Sequence, residues 1–275
     1  MTSKKVFHMI CFALLLLFGF ITFFPIYMAL LNSLKSQGEM FTSALALPSE
    51  LTLNNYIETV KKMDIFRNVW NTLVVTVVGQ VGIIFCASLA GWKLSRTSGK
   101  LSNFIFILFL SSMLIPFNAI MVTLTQVASD LKLTDSLVGL GLIYVGLGTS
   151  MALFLYHGFV KTVPYELEES ARIDGCGEFQ IFFRIVFPLL KPITATILIL
   201  NSLWIWNDFL LPMVMISNVN NQTLILSINR FFGEYTTDWP RVLAGLIMTS
   251  IPVVIFYIIF QKNIMSGIAE GAIKS

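Results

Sequence analysis

Few side chains in this sequence have the types and spacing that acid–base, nucleophilic or metal chemistry requires. The two histidines, His8 and His157, are far apart in the chain, and neither lies near another potential metal ligand. The three cysteines, at positions 11, 86 and 176, form no Cys-x-x-Cys pair and therefore predict neither a disulfide framework nor a thiolate site. We expect no metal site and no cofactor bound by this chain, which leaves an integral membrane enzyme as a weak alternative.

One acidic residue, Asp208, stands within a long apolar stretch, where a charge is costly and is a functional candidate. Asn201, Trp204 and Asp208 follow the helical spacing i, i+3, i+7, so one helix face would carry an amide, an indole and a carboxylate. Together with Asn207 they form a candidate sugar pathway, because amides and acids bind sugar hydroxyls and an aromatic ring packs on the sugar ring. A brace between neighbouring helices is the alternative interpretation of the same residues.

A second group of charged residues is concentrated in the segment 157–192. Glu168 precedes Arg172 by four residues, which is the favourable order for an ion pair within a helix. Pro164 suits a first helical turn, and the glycines at 175 and 177 can end a helix. Apolar residues then resume with helical spacing, so the pattern predicts a helix–turn–helix over 165–188. Either a partner covers this element or it rests on lipid headgroups.

The composition indicates the environment in which these residues lie. Of 275 residues, 56% are hydrophobic and only 12% are charged, and the mean hydropathy is +0.81. Soluble domains carry about 25% charged residues, so this chain has too few polar groups to cover a water-facing surface. The net charge of +3 and the absence of a basic run argue against nucleic-acid binding. The composition therefore predicts a membrane protein.

Six apolar stretches are long enough to cross a bilayer, since a spanning helix needs roughly 20 residues. Their lack of strict alternation favours helices over barrel strands. We therefore predict an all-α integral membrane protein with six transmembrane helices. The stretches are 9–31, 69–90, 104–127, 137–156, 193–216 and 242–260.

The distribution of basic residues predicts the orientation. The short segment 91–103 carries three basic residues and no acid, whereas 128–136 carries one lysine and two aspartates. Both termini are therefore expected in the cytoplasm. The only Ala-x-Ala, at 44–46, lies beyond the first apolar run, so we expect a retained span and not a cleaved signal peptide. The outer segment 32–68 includes a helical pattern at 53–65, which lies either along the membrane surface or as a connector over the bundle.

Within the predicted helix–turn–helix, Glu169-Ser170-Ala171 is followed by Gly175, Ile185 and Pro188. This register resembles a motif in the membrane subunits of binding-protein-dependent ABC importers: Glu-Ala-Ala, three residues, Gly, nine residues, Ile, one residue, Leu-Pro. Ser170 and Phe187 replace the alanine and the leucine of that motif. The run from Trp206 to Pro212 and the tail ending at Ser275 resemble the smaller permease of the maltose-transporter family.

The resemblance covers nearly the whole chain and implies a type I importer fold, with a five-helix core and one additional N-terminal helix. It implies three segments: an N-terminal helix and outer loop at 1–68, a core at 69–260 with the coupling loop 157–192, and a cytoplasmic tail at 261–275. The implied location is the bacterial cytoplasmic (inner) membrane, with multiple crossings.

The implied partners are a second permease subunit, a cytoplasmic ATPase dimer and an extracellular or periplasmic sugar-binding protein, with an oligosaccharide as the substrate. The chain has no phosphate-binding Gly-x₄-Gly-Lys-Ser/Thr motif, so ATP and Mg²⁺ would be used by the partner ATPase. Glu169 would be the charged contact to that ATPase and Gly175 the turn between the two short helices.

The outer loop 218–241 would contact the binding protein, with candidates Asn220, Asn221, Tyr235 and Trp239. An ordinary polar loop is the alternative interpretation of this segment. For the whole chain, the alternative function is a six-span secondary transporter or channel that is driven by a gradient through Asp208.

Overall fold

The computed structural model describes residues 3–233 and 235–272, and the regular secondary structure in that range is helical. The all-α class is therefore confirmed. Residues 273–275 of the predicted tail lie outside the described residues.

The described helices are α1 (Ser3–Ser33), α2 (Gln37–Thr42), α3 (Asn54–Met63), α4 (Ile65–Arg96), α5 (Lys100–Ser112), α6 (Phe117–Asp130), α7 (Leu137–Val160), α8 (Glu166–Ile173), α9 (Glu178–Ile181), α10 (Phe187–Leu189), α11 (Lys191–Asn207), α12 (Leu210–Met215) and α13 (Trp239–Ala272). A π-helical turn lies at Phe182–Val186, and 3₁₀ turns lie at Val219–Asn221 and Leu226–Phe231.

Four helical segments are long and apolar enough to cross a membrane without interruption: Phe7–Ser33, Ile65–Arg96, Leu137–Val160 and Trp239–Gln261. Two further segments are bent pairs of helices. Lys100–Ser112 meets Phe117–Asp130 at 103°, and Glu178–Leu189 meets Lys191–Asn207 at 74°. When each bent pair counts as one span, the described chain has six, which agrees with the predicted number. In the second pair, Lys191–Asn207 is the part that falls in the predicted span 193–216, whereas Glu178–Leu189 belongs to the segment 157–192.

The third predicted span, 104–127, is broken where a continuous helix was expected. α5 ends at Ser112, and α6 starts at Phe117 after Pro116. Proline cannot donate a backbone hydrogen bond, and it disfavours helical geometry at the preceding residue. The hydroxyl of Ser112 donates to the carbonyl of Phe109 at 2.7 Å, which gives the last turn of α5 a local alternative partner.

The fifth predicted span, 193–216, is also interrupted. α11 ends at Asn207, Asp208 is extended with φ −75° and ψ 131°, and α12 begins at Leu210. Pro212 explains the break, because in a continuous helix its ring would clash with the carbonyl four residues earlier, at position 208.

The chain forms two compact units, and the predicted segment boundaries at 68 and 260 stay a prediction. One unit combines the chain up to Ile65 with Ser227–Pro252, and the other combines Phe66–Leu226 with the residues from Val253 onward.

In the first unit, a buried lysine forms hydrogen bonds that connect the end of α1 to the segment after α2. The ammonium group of Lys35 donates to the carbonyls of Ser43 at 2.7 Å and Ala44 at 3.2 Å, and to the Asn32 side chain at 3.3 Å. Three acceptors match the three donors of the ammonium group, so its burial leaves no N–H unpaired.

The same unit contains the helix predicted within 53–65, which is α3. Thr59 and Met63 of this helix are fully buried. A Cβ placed on Gly245 would lie 3.2 Å from the Met63 sulfur, so α3 packs tightly against α13. The connector interpretation of this segment is therefore favoured over a helix lying along the membrane surface.

In the second unit, glycines allow α4 and α7 to approach each other closely. A Cβ on Gly91 would lie 2.7 Å from the Tyr156 Cβ, and one on Gly141 would lie 2.6 Å from Val78. Small residues allow this kind of helix contact in membranes, where packing stabilises helix association. The second half of the cytoplasmic segment joins the same core, since Phe182 is buried and its ring centroid lies 5.2 Å from that of Trp92.

Candidate functional site

The cytoplasmic segment 157–192 contains two short helical stretches joined by a glycine turn. α8 ends at Ile173, and the second stretch runs from Glu178 through the π-helical turn to Leu189. Gly175, between them, has φ +82°, in the left-handed region that strains residues with a Cβ. The helix–turn–helix predicted over 165–188 is therefore present, and Gly175 lies at its turn.

The π-helical turn accommodates a proline within the second stretch. The N–H of Phe187 donates to the carbonyl of Phe182, five residues earlier. A regular helix would place the Pro188 ring against the carbonyl four residues earlier, whereas a π turn widens the backbone locally. The helix therefore continues past Pro188 and ends at Leu189.

A buried carboxylate anchors α8 to the end of α4. Glu168 is completely buried, and one of its oxygens accepts a hydrogen bond from the Trp92 indole N–H at 3.1 Å. The other oxygen accepts from Nε of Arg96 at 2.8 Å. The guanidinium of Arg96 also donates to the Val163 carbonyl at 2.7 Å. The charge of Glu168 is thus paired and hydrogen-bonded, which a buried carboxylate requires.

Arg172 joins the two short helices across the glycine turn. Its guanidinium lies 3.6 Å from Glu168, so the predicted pair four residues apart is confirmed, and it donates to Glu178 at 2.8 Å. The hydrogen bond from Arg172 holds the pKa of the Glu178 carboxyl below its usual range. The Tyr165 ring lies 5.5 Å from both the Arg96 and the Arg172 guanidinium groups, which is within the range of cation–π attraction. These contacts make the turn, α8 and the end of α4 one electrostatic cluster.

The residues that match the importer motif are divided between surface and core. Glu169 and Gly175 are exposed, and the hydroxyl of Ser170 donates to the Glu166 carbonyl at 2.8 Å. Ala171 is buried.

The other two motif residues, Ile185 and Pro188, are half-buried in the second helical stretch. Two large apolar side chains near the turn are instead strongly exposed, with 87% of Ile173 and 73% of Phe179 accessible to solvent. The described surface of the turn therefore presents the Glu169 carboxylate, among other exposed acidic side chains, beside two exposed apolar side chains.

Trp92 and Arg96 belong to this site, but no motif predicts them. The sequence pattern marks Arg96 only as a basic residue of the segment 91–103 and Glu168 only as the partner of Arg172. Two features of the sequence could have indicated the pairing of Glu168 with Arg96. Glu168 directly precedes the motif, and Arg96 lies in a short, purely basic segment that is predicted on the same side of the membrane.

Asp208 is held by hydrogen bonds within the second unit. One carboxylate oxygen accepts from the Tyr144 hydroxyl at 2.8 Å, and the other accepts from the Leu210 N–H at 3.0 Å. The Trp204 ring meets the Tyr144 ring edge to face, with centroids 5.3 Å apart. Asp208 therefore caps the start of α12 and ties it to α7.

The expectation of one continuous helix face for Asn201, Trp204 and Asp208 is wrong, because the helix ends before Asp208. Asn201 is buried in α11, and Trp204 has 40% of its surface exposed. The amide of Asn207 donates to the Leu203 carbonyl at 2.8 Å.

The four outer-loop candidates fall in different units. In the second unit, the Asn220 side chain accepts from Arg67 at 2.6 Å, and the Asn221 amide donates to the Asp135 carbonyl at 2.6 Å. In the first unit, Tyr235 is almost fully exposed, and Trp239 packs edge to face against Phe232.

Comparisons with known proteins show the family to which the chain belongs. The family profile described as binding-protein-dependent transport system inner membrane component matches residues 82–266. The chain is 40% identical over 251 residues to the probable starch degradation products transport system permease protein AmyC of Thermoanaerobacterium thermosulfurigenes, with 91% of each chain covered. It is 35% identical to the melibiose/raffinose/stachyose import permease protein MelC of Bacillus subtilis, over 92% of this chain and 91% of that protein.

The fold is also similar to a chain in a solved structure. The crystal structure of a bacterial ABC transporter involved in the import of the acidic polysaccharide alginate matches with a TM-score of 0.81 and 22% identity, covering 95% of this chain and 98% of that one. At this identity, the match establishes the fold alone.

Proposed function

Because the chain belongs to the family of binding-protein-dependent transport system inner membrane components, we propose that it is one of two permease subunits of an ATP-driven oligosaccharide importer in the bacterial cytoplasmic membrane. A dimer of cytoplasmic ATPases would hydrolyse ATP with Mg²⁺, and a soluble sugar-binding protein would deliver the substrate on the outer side. The names of AmyC and MelC support an oligosaccharide as the substrate class.

The observation that carries this proposal is the anchoring of the glycine-turn element to α4. Glu168 joins α8 to Trp92 and Arg96, and Arg172 joins α8 to Glu178. Packed elements with paired charges move as discrete bodies. A force applied to the turn would therefore reach α4 with little loss in local rearrangement.

The exposed surface of the turn is the part that would meet the ATPase. Glu169 offers a charge, and Ile173 and Phe179 offer apolar surface on either side of Gly175. Exposed apolar side chains with a nearby charge are typical of a protein interface. The lipid-surface alternative fits less well, because Glu166 and Glu169 on α8 are acidic and exposed, whereas interfacial helices are usually rich in lysine and arginine.

The intramembrane residues have two roles in this proposal. Asp208 braces α12 against α7, since both of its oxygens are engaged by Tyr144 and Leu210. Trp204, with its partly exposed ring, is the residue best suited to pack on a sugar ring. The same two hydrogen bonds weigh against a gradient-driven transporter that uses Asp208, as does membership of a family that depends on a binding protein.

Reconstitution of the complex tests the proposal. The tagged chain, expressed in its host, should copurify with a second permease and an ATPase. In proteoliposomes, labelled raffinose or a maltooligosaccharide should enter only when ATP is on the cytoplasmic side and the binding protein is on the other. Uptake by the purified chain alone, without ATP and abolished by dissipating a proton gradient, would overturn the proposal in favour of a secondary transporter.

A further inference from the structure

A short polar segment on the outer side, residues 217–222, is fastened by one residue of the neighbouring outer loop. A carboxylate oxygen of Asp135 accepts hydrogen bonds from the backbone N–H groups of Ser217 at 2.5 Å and Asn218 at 2.7 Å. The backbone of Asp135 takes part as well, because its N–H donates to the Met215 carbonyl at 2.9 Å and its carbonyl accepts from Asn221 at 2.6 Å.

The backbone conformation of Asp135 supports this arrangement. Its φ is +52°, in the left-handed region where aspartate and asparagine are tolerated better than most residues. Asp135 therefore takes part in four hydrogen bonds, three as acceptor and one as donor. They join its loop to the end of α12 and the segment that follows, about 80 residues away in sequence.

Residues of α4 also bind this segment. The buried Asn71 amide donates to the carbonyls of Asn220 at 2.8 Å and Gln222 at 2.9 Å. The hydroxyl of Thr72 accepts from the Leu224 N–H at 2.9 Å. Both Asp135 and α4 therefore hold the segment, and its backbone is ordered by hydrogen bonds instead of an apolar core.

Four consecutive residues of this hydrogen-bonded segment, 217–220, are exposed. Asn218 and Asn220 are exposed, and Val219 is 54% exposed between them. A segment that is already ordered loses little conformational entropy when a partner binds. The residues of the segment are uncharged, with three asparagines and one glutamine at 218–222, so it is suited to a polar protein surface and not to anionic headgroups.

We infer that Asp135 is a positioning residue that holds 217–222 in the conformation that the sugar-binding protein recognises. The inference rests on the proposed function, because it takes the binding protein from that proposal as the partner on the outer side. It also revises the roles of Asn220 and Asn221, whose side chains maintain the shape of the segment through Arg67 and Asp135.

The test compares two single substitutions in the same outer loop. Asp135→Ala removes the acceptor of the two backbone N–H groups. Asp130→Ala removes an equal charge from an exposed residue for which the described structure gives no hydrogen bond to the segment. The complex is reconstituted in proteoliposomes, and ATP hydrolysis is measured against the concentration of the copurifying binding protein loaded with raffinose.

For Asp135→Ala, we expect the half-saturating concentration of binding protein to rise about tenfold, because a disordered segment must be ordered on binding. The rate at saturation should fall by less than about twofold, since the ATPase side is untouched. Asp130→Ala should change neither quantity. If Asp135→Ala does not assemble, Asp135→Asn replaces it in the test. Asparagine keeps one acceptor oxygen, so the half-saturating concentration of binding protein should rise by an intermediate factor of about three.

Three results would overturn the inference. One is an unchanged half-saturating concentration with a lower maximal rate, which would indicate a purely structural role. Another is an equal shift in both variants, which would indicate an effect of charge alone. A third is a defect that follows the anionic lipid content of the vesicles, which would assign the segment to the bilayer. If the wild-type complex itself does not respond to loaded binding protein, the proposed function fails instead.

Discussion

The indole N–H of Trp92 and the buried carboxylate of Glu168 are joined by a 3.1 Å hydrogen bond between the end of α4 and the first helix of the cytoplasmic turn. Arg96, one helical turn beyond Trp92, binds the other oxygen of the same carboxylate. This pair of contacts is the physical link between a membrane-spanning helix and the element that we propose to dock on the ATPase.

Removing the charge of Glu168 should weaken this link. Glu168→Gln keeps the shape of the side chain and an acceptor for Trp92, but it leaves the Arg96 guanidinium without its counter-charge. Breaking a buried ion pair costs about 3 kcal/mol, so the melting temperature of the purified complex should fall, and less sugar should be transported per ATP hydrolysed. Glu166→Gln, on the exposed side of α8, is the matched control and should change stability by less than about 0.5 kcal/mol.

A double-mutant cycle isolates the Arg96–Glu168 interaction. If the two residues act as one unit, Arg96→Met and Glu168→Gln together should destabilise the complex little more than either change alone. Strictly additive effects in thermal unfolding would contradict the assignment of Arg96 to the anchor.

The turn itself can be tested by a pair of glycines. Gly175 has φ +82°, whereas Gly177 has φ −74°, and a Cβ on either would meet open space. Gly175→Ala should therefore cost about 1 kcal/mol through backbone strain alone and should reduce transport per ATP. Gly177→Ala changes a residue with extended backbone at the start of α9, so it should cost less stability than Gly175→Ala and leave transport per ATP unchanged. Equal behaviour of the two variants would show that the left-handed turn has no part in coupling.

Glu169 should affect binding of the ATPase without affecting the fold. Its side chain is exposed, so Glu169→Ala should leave the melting temperature within about 1 °C of the wild-type value while reducing the amount of ATPase that copurifies at moderate salt. Glu166→Ala, which removes a charge from the first turn of the same helix, is the control. Normal recovery of the ATPase with Glu169→Ala would contradict its proposed role.

The sequence was sufficient to predict the helical class, six membrane segments and the helix–turn–helix, because apolar runs, glycines and prolines act locally. It could not show that Glu168 binds Trp92, since the two residues are 76 positions apart and each is unremarkable in its own segment. Contacts of this kind arise from the packing of α4 against the cytoplasmic segment, which no local pattern encodes.

The breaks in two spans were missed for a different reason. Hydropathy follows side-chain polarity, and the residues at the first break include Met113, Leu114 and Ile115, which are themselves apolar. At the second break, the helical spacing of Asn201, Trp204 and Asp208 assumed a continuous backbone, although Pro212 lay four residues beyond Asp208. A proline within an apolar run was the signal that should have placed both breaks.

The contact between Tyr144 and Asp208 distinguishes a brace from a transport site. Tyr144→Phe removes one hydrogen bond and should destabilise the complex by about 1 kcal/mol. Asp208→Ala should cost more, because it also leaves the Leu210 N–H without its acceptor. The two changes should be non-additive in thermal unfolding. Tyr156→Phe, which removes a hydrogen bond to Thr194 at 2.9 Å, is the control, and its effect should add to that of Asp208→Ala.

Sugar uptake gives a second test. If Asp208 is a brace, the relative uptake of raffinose and a maltooligosaccharide should stay constant in Asp208→Ala. A changed sugar preference with unchanged stability would instead place Asp208 in the sugar pathway. If a proton gradient drives uptake in the wild type and Asp208→Ala abolishes that uptake, the ion-coupled alternative would be restored.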